Sequence, residues 1–185
     1  MIIEFSKEKN RKLTSIGDLK LLQNKLFSIF CSVKCPGELI LKTYEYFKLF
    51  KKTETSVISG FQSPVEKESL RLLLRNKQPT IICYARDISR LRVPKKLNKS
   101  IDEGYLLLIS PFNKSPARTT IESARQRNEY IASIATTIFV PYADPNGKLI
   151  QLCKKLSNSN KHLSTFNSEY NRILFESRFV KLITP

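Results

Sequence analysis

The residues of this chain that could do chemistry are hydroxyls, amides and cations set beside predicted turns. They are Ser32 and Lys34, Ser59 and Gly60, Arg86, the run Arg125-Gln126-Arg127-Asn128, and Asn146-Gly147-Lys148. Carboxylates are nearly missing from that set. Such a composition suits holding phosphates by charge and by backbone N–H groups. It does not suit acid–base hydrolysis, which wants paired carboxylates or a histidine. His162 is the sole histidine and lies near the C-terminus, so histidine-based nucleophilic or metal chemistry is not expected. The motifs G-x-G-x-x-G and G-x-x-x-x-G-K-[ST] do not occur, and five glycines are sparse for a dinucleotide or P-loop site. No catalytic residue, cofactor or metal site is predicted, and the chain is not expected to be an enzyme.

Cys31, Cys35, Cys83 and Cys153 are too few and too scattered for a disulfide framework. Cys31 and Cys35 have the spacing C-x-x-x-C, yet no second Cys or His pair completes a zinc site. All four read as small apolar thiols in a reducing compartment.

Lysine and arginine number 32 against 16 aspartates and glutamates, a net charge of +16 and a pI near 9.8. That excess favours a polyanionic partner, nucleic acid ahead of an acidic membrane surface. The densest stretch sets Arg75, Lys77, Arg86, Arg90, Arg92, Lys95, Lys96 and Lys99 against the single anion Asp87. Tyr84 and Phe112 stand beside these cations, where aromatic rings either stack on bases or pack on a sheet.

Positioning these residues requires a regular alternation of strands and helices. Strands are predicted at Leu26–Cys31, Ser56–Ser59, Thr80–Tyr84, Tyr105–Ser110, Thr137–Val140 and Leu163–Phe166. Between them fall helical patterns at Glu38–Phe50 (Ile40, Tyr44 and Phe47 inward), from Pro64 onward (Val65, Leu70, Leu73 and Leu74 inward), around Leu97–Glu103 with Gly104 as its stop, and over Lys148–Leu156 (Leu149, Leu152 and Leu156 inward). The central one starts at Thr120, with an apolar stripe of Ile121, Ala124, Ile131, Ile134 and Ala135. Asn128 lies on that stripe, and Arg125 and Arg127 flank it. Ser168 is placed to cap a last helix running to Glu176, and Phe179–Ile183 closes the chain. The pattern predicts an α/β, Rossmann-like three-layer fold, its mainly parallel sheet covered by helices on both faces. Residues 1–25 read as a basic N-terminal extension, with a short helical piece around Asp18–Leu22, to a single domain over 1–185. No apolar run approaches the ~20 residues of a membrane-spanning helix. Charge fills the place where a signal peptide would carry its apolar core, so a cytoplasmic location is expected. In such a fold ligands bind beyond the carboxyl ends of the strands. That places Ser32, Lys34, Ser59, Gly60, Arg86, Phe112, Lys114, Asn146, Gly147 and Lys148 at one edge.

The order of these motifs resembles the Rossmann-like core of the DNA-processing protein A (DprA/Smf) family, bacterial mediators of recombination and DNA uptake that bind single-stranded DNA. The family's G-S-R turn stands here as Cys31-Ser32-Val33-Lys34, and its S-G-x-A-x-G-I-D as Ser59-Gly60-Phe61-Gln62-Ser63-Pro64-Val65-Glu66. The segment F-P-x-R-N-R-I-I-A-x-L-S is matched by Arg125-Gln126-Arg127-Asn128-Glu129-Tyr130-Ile131-Ala132-Ser133-Ile134-Ala135, and S-G-S-L by Asn146-Gly147-Lys148-Leu149. The first glycine has become Cys31, the G-S-R arginine Val33, and a later glycine Pro64. The family's N-terminal helical and C-terminal winged-helix-like domains are not expected within these 185 residues. The resemblance implies single-stranded DNA binding through Lys34, Ser59, Gly60, Arg125, Arg127, Asn128 and Lys148. It names a homodimer and a recombinase as further candidate partners and implies no membrane attachment. The alternative is a nucleotide-binding sensor similar to the phosphoribohydrolases of the lysine-decarboxylase-like group. Their P-G-G-x-G-T-x-x-E glutamate falls here on Gln151, which disfavours catalysis. A degenerate family member serving only protein interactions is a third reading, against which the charge argues.

Overall fold

Short β-branched and aromatic runs, broken by glycine and proline, pair into one nine-stranded sheet in a computed structural model that describes residues 2–3, 13–52, 54–113, 116–177 and 179–182. In chain order the elements are β1 (Ile2–Ile3), β2 (Leu13–Ile16), β3 (Lys25–Cys31), α1 (Gly37–Leu49), β4 (Thr55–Ser59), α2 (Pro64–Arg75), β5 (Thr80–Cys83) and α3 (Lys95–Asp102). There follow β6 (Leu106–Ser110), α4 (Ile121–Ile134), β7 (Thr137–Tyr142), α5 (Lys148–Leu156), β8 (His162–Phe166), α6 (Arg172–Glu176) and β9 (Val180–Leu182). The strand order is β1-β2-β6-β5-β4-β3-β7-β8-β9. From β6 to β9 every neighbouring pair is parallel; β1 and β2 join antiparallel at the β6 side. The chain enters the parallel sheet at β3, winds outward to β6, then returns to continue from β7 on the other side of β3. The order therefore reverses between β3 and β7, and there the carboxyl edge opens a crevice.

Alternation along each strand sends side chains to two cores. On one face Phe27, Ile29, Val57, Leu106, Leu108 and Phe139 meet α1, α2 and α3 through Leu39, Phe47, Leu72, Leu73 and Leu97. On the other, Leu26, Phe30, Ile58, Ile81, Leu107 and Ile138 meet α4 and α5 through Ile131, Ala132, Ile150, Cys153 and Leu156. The predicted α/β architecture with both faces covered is what the molecule has.

Several predicted details shift. The inward set of α1 is Leu39, Thr43 and Phe47, while Ile40 is 43% exposed. In α2, Val65, Leu72 and Leu73 are buried, and Leu70 and Leu74 only partly so. In α4 the buried residues are Ser123, Arg127, Ile131 and Ala132, and Ile121 is 72% exposed. A 3.6-residue repeat fits two stripes one residue apart, and the sheet beneath selects between them. In α5 the inward residues are Ile150, Cys153 and Leu156; Leu149 and Leu152 are only partly buried against that core.

The segment preceding β3 is more than an extension. Thr14, Ser15 and Ile16 pair with Ser110, Ile109 and Leu108, and Leu13 and Leu21 join the core. The helical piece is a 3-10 turn, Leu19–Gln23, whose N-cap Asp18 accepts from the Lys20 N–H at 2.9 Å. At the other end, Ser168 precedes a 3-10 turn, Glu169–Asn171, that leads into α6 without a side-chain cap bond. Lys114 lies outside the described residues.

Helix α3 ends as predicted, with Gly104 at φ +80°. Helix α2 is followed by Lys77 at φ +52°, the left-handed position that glycine usually fills. Lys77 also reaches Glu103 at 2.7 Å, an exposed pair of small worth. Lys77→Gly is expected to stabilise the protein by about 0.5–1 kcal/mol, the left-handed cost relieved less the lost ion pair; urea denaturation of the two proteins measures it.

Candidate nucleic-acid interface

The carboxyl edge is built around a buried carboxylate. Ser63 and Glu66 form a capping box at the start of α2: the Ser63 hydroxyl accepts from the Glu66 N–H at 3.2 Å, and Glu66 Oε2 accepts from the Ser63 N–H at 3.4 Å. Glu66 is 6% exposed and does more than cap. Its Oε2 also accepts from the Gln62 N–H at 2.8 Å, and its Oε1 from the Cys31 N–H at 2.9 Å. The end of β3 is thereby tied to the start of α2 across the turn that follows β4. Burial pushes the Glu66 carboxyl up, opposed by the three amide donors and the Arg127 charge.

Arg127 arrives from the opposite face of the sheet. It is 5% exposed, and burial lowers its ionisation range, with Cys83 and Glu66 acting the other way. Its Nε and Nη2 donate to Asn128 Oδ1 at 3.1 and 2.9 Å. The guanidinium lies against Gly60: a β-carbon there would sit 2.2 Å from Arg127 Cζ and Nη1. Gly60 is thus glycine-compatible alone while Arg127 holds this place. Ser59 is fully buried, its hydroxyl accepting from the Phe61 N–H at 3.2 Å. Ser59, Gly60 and Arg127 therefore lie beneath the rim, not on its surface.

Other predicted residues do come to the surface together. At the switch point Ser32 Oγ accepts from the Asp144 N–H at 2.9 Å, and a β-carbon on Gly147 would lie 3.7 Å from that oxygen. Asp144 turns its own carboxylate to the Asn146 N–H at 2.9 Å. Gly147 is the N-cap of α5, where no side chain occupies the free N–H groups of the first turn. Lys34, Asn146 and Lys148 are exposed around this point. Arg86 is half-buried past the end of β5, two strands from β3, where its carbonyl accepts from Ser110 Oγ at 2.6 Å, joining the ends of β5 and β6. Lys34, Arg86 and Lys148 make no ion pair among the described residues, and Lys34 and Lys148 are exposed.

Arg125 behaves differently. It sits between Glu122 and Glu129, with Nη1 to Glu129 Oε1 at 2.7 Å, and Lys155 of α5 reaches the same oxygen at 3.1 Å. Arg125, Glu129 and Lys155 rim a cleft of about 420 Å³ between α4 and α5, whose walls include Ile121, Ala124, Leu149 and Leu152 and whose polar lining includes Asn128 and Lys148. Elsewhere, Lys77 and Lys99 face Glu103. Chain direction places that group, with Arg75, at the amino edge, so the densest basic stretch is not one patch. Tyr84 is partly buried against the α1–α3 core.

Sequence reasoning missed Glu66 as a joint and Gly60 as the seat for Arg127. The capping box Ser63-x-x-Glu66 was a visible signal for the first; the second depends on residues far apart in the chain.

Both Glu66 oxygens already accept, so Glu66→Gln turns an amide NH₂ toward a backbone N–H. The expected loss is about 1–3 kcal/mol, read from denaturant midpoints. At the surface, the Arg125 hydrogen bonds, then the Gln126 bond, hold Glu122 down at about 2. Its contribution is present above the ordinary carboxyl range and is lost as pH falls through about 2. A carboxyl-carbon NMR titration checks this; a Glu122 midpoint near 4 would contradict the bridge.

Residues 4–171 match the family described as DNA recombination-mediator protein A. Among solved structures, DNA processing protein A from Streptococcus pneumoniae is 16% identical with a TM-score of 0.74, over 94% of this chain and 63% of that one. DNA processing protein A from Helicobacter pylori, described for its single-stranded DNA binding mode, is 18% identical with a TM-score of 0.74, over 95% of this chain and 84% of that one. At these identities the likeness is one of fold. The chain spans less than two thirds of the Streptococcus pneumoniae protein's length. No curated protein matches it.

Proposed function

The chain belongs to the DNA recombination-mediator protein A family, and on that premise we propose that it binds single-stranded DNA along the carboxyl edge of its sheet. One observation carries the reading: Ser32, Lys34, Asn146, Gly147 and Lys148 surround the switch point, with Arg86 on the same edge. Phosphates lie against Lys34, Lys148 and Arg86, and the uncapped first turn of α5 adds N–H donors. Ser59, Gly60, Arg127 and Asn128 act from beneath by fixing the shape of the rim. Arg125, offset by two carboxylates, contributes less. At the switch point the Asp144 carboxylate accepts from the Asn146 N–H, an engagement that supports a binding role for the site. A recombinase and a second copy of the chain are the further partners that go with this reading, in the cytoplasm. No described helix is long and apolar enough to cross a membrane.

The α4–α5 cleft is what favours a second reading, a mononucleotide as the ligand. Fluorescence anisotropy with a labelled oligonucleotide at two salt concentrations separates the two. Affinity for the oligonucleotide should fall steeply with salt. A Lys34→Ala, Lys148→Ala double variant should bind more weakly, with the salt slope reduced by about 1–2. Arg125→Ala should change both less. Salt-insensitive or absent oligonucleotide binding would overturn the proposal, and competition by mononucleotides at the same site would favour the cleft.

A further inference from the structure

Helices α4 and α5 both start at the carboxyl edge and pack on the same face of the sheet. The cleft between them therefore has two unlike ends. Its mouth is set by Ile121, which is 72% exposed, and by Lys148, the first residue of α5 and one of the exposed cations at the switch point. Its far end lies about 12 Å away, the rise along α4 from Ile121 to Glu129. There Lys155 Nζ reaches across from α5 to Glu129 Oε1 at 3.1 Å and closes the cleft. Between the two ends Ala124, Leu149 and Leu152 supply apolar walls.

Asn128 is a half-buried residue of this lining, and its amide has one orientation. A guanidinium can only donate, so the bonds from Arg127 Nε and Nη2, at 3.1 and 2.9 Å, fix Oδ1 as the atom that faces Arg127. The Nδ2 amino group is thereby turned away from the guanidinium, and it donates to nothing among the described residues. A buried arginine seated on Gly60 thus sets the polarity of an amide in the cleft.

From this arrangement we propose that the α4–α5 cleft takes one unstacked base of the single strand and that Asn128 reads it. The inference rests on the DNA reading above and assigns the cleft to the strand, not to a free mononucleotide. Charge along the cleft supports that choice. Arg125 and Lys155 are engaged with Glu129, whereas Lys148 at the mouth makes no ion pair among the described residues. A ligand charged at one end and neutral at the other matches this, as a nucleotide within a strand is. A phosphate held at Lys148 and the first turn of α5 leaves its nucleoside at the mouth. The base then enters between Ala124, Leu149 and Leu152, and its edge meets the Asn128 amino group. Selectivity follows from the fixed amide. An asparagine that reads adenine uses both of its polar atoms, the oxygen accepting from N6 and the amino group donating to N7. With Oδ1 committed to Arg127, Asn128 only donates. It favours thymine or guanine, whose carbonyl oxygens accept, and leaves the adenine amino group unmet.

The test follows binding of the full chain by fluorescence anisotropy to three strands of equal length: oligothymidylate, oligoadenylate and a strand of abasic sites. Oligothymidylate should bind about three- to tenfold more tightly than either of the others, as one added hydrogen bond would make it. Salt slopes should be equal, because the phosphates are the same. Asn128→Asp keeps an acceptor for Arg127 but lacks the amino group. It should bind every strand more weakly through its added charge and lose the preference for thymine over adenine. Ala124→Leu fills the cleft without touching Arg127, and should bring the ratio of thymine to abasic affinity towards one. Equal affinity of the parent protein for oligothymidylate and the abasic strand would overturn the base cleft while leaving phosphate binding at the rim in place. A thymine preference that survives Asn128→Asp would do the same. Binding of none of the three strands would overturn the DNA reading and this inference with it.

Discussion

A carboxylate taken out of water must be met by donors, and in this protein that requirement shapes the whole carboxyl edge. Glu66 accepts from the backbone of Cys31, Gln62 and Ser63, so β3, the β4 turn and α2 share one anchor. Arg127 brings the compensating charge from α4 on the other face, and only a residue without a β-carbon at position 60 gives it room. The two helical layers therefore meet through the sheet at this point and not merely across it. The surface residues Ser32 and Lys34 inherit their positions from a joint that never reaches solvent.

The net charge of +16 produces a field felt at a distance, yet the local accounting is uneven. Arg125 and Lys155 share Glu129, and Lys77 and Lys99 share Glu103. Lys161 donates to the carbonyls of Ser133 and Ala135 at 2.7 Å each and so terminates α4. Cations of this kind hold helices in place. Those left to face outward at the carboxyl edge are fewer than the composition suggests, and they cluster where the strand order reverses.

Much of the architecture was legible because it rests on local rules. The strand runs 137–140 and 163–166, the helix Lys148–Leu156 and the glycine stop at Gly104 follow from β-branched runs, periodicity and left-handed backbone. Rotational register was not, since Ile40 and Ile121 satisfy the repeat as well as the residues that the sheet buries instead. Nor was β2, whose Leu13-Thr14-Ser15-Ile16 is too short and too polar to stand out until β6 offers it an edge. Arg127 reads in sequence as a cation on the helix flank, ready to meet DNA; its burial is decided by Gly60, which no local pattern connects to it. Asn128 was legible as a residue of interest, but its task, accepting two guanidinium bonds, depends on that same packing.

Strands β1 and β9 are the outermost members of the sheet. Eight inter-strand steps separate them, about 38 Å before twist shortens the span. Fluorophores or partner modules joined near the two ends of this chain would accordingly project from opposite flanks, out of reach of each other. The distance between such attachments would gauge the breadth of the sheet, and peeling of either outer strand would register as a change in it.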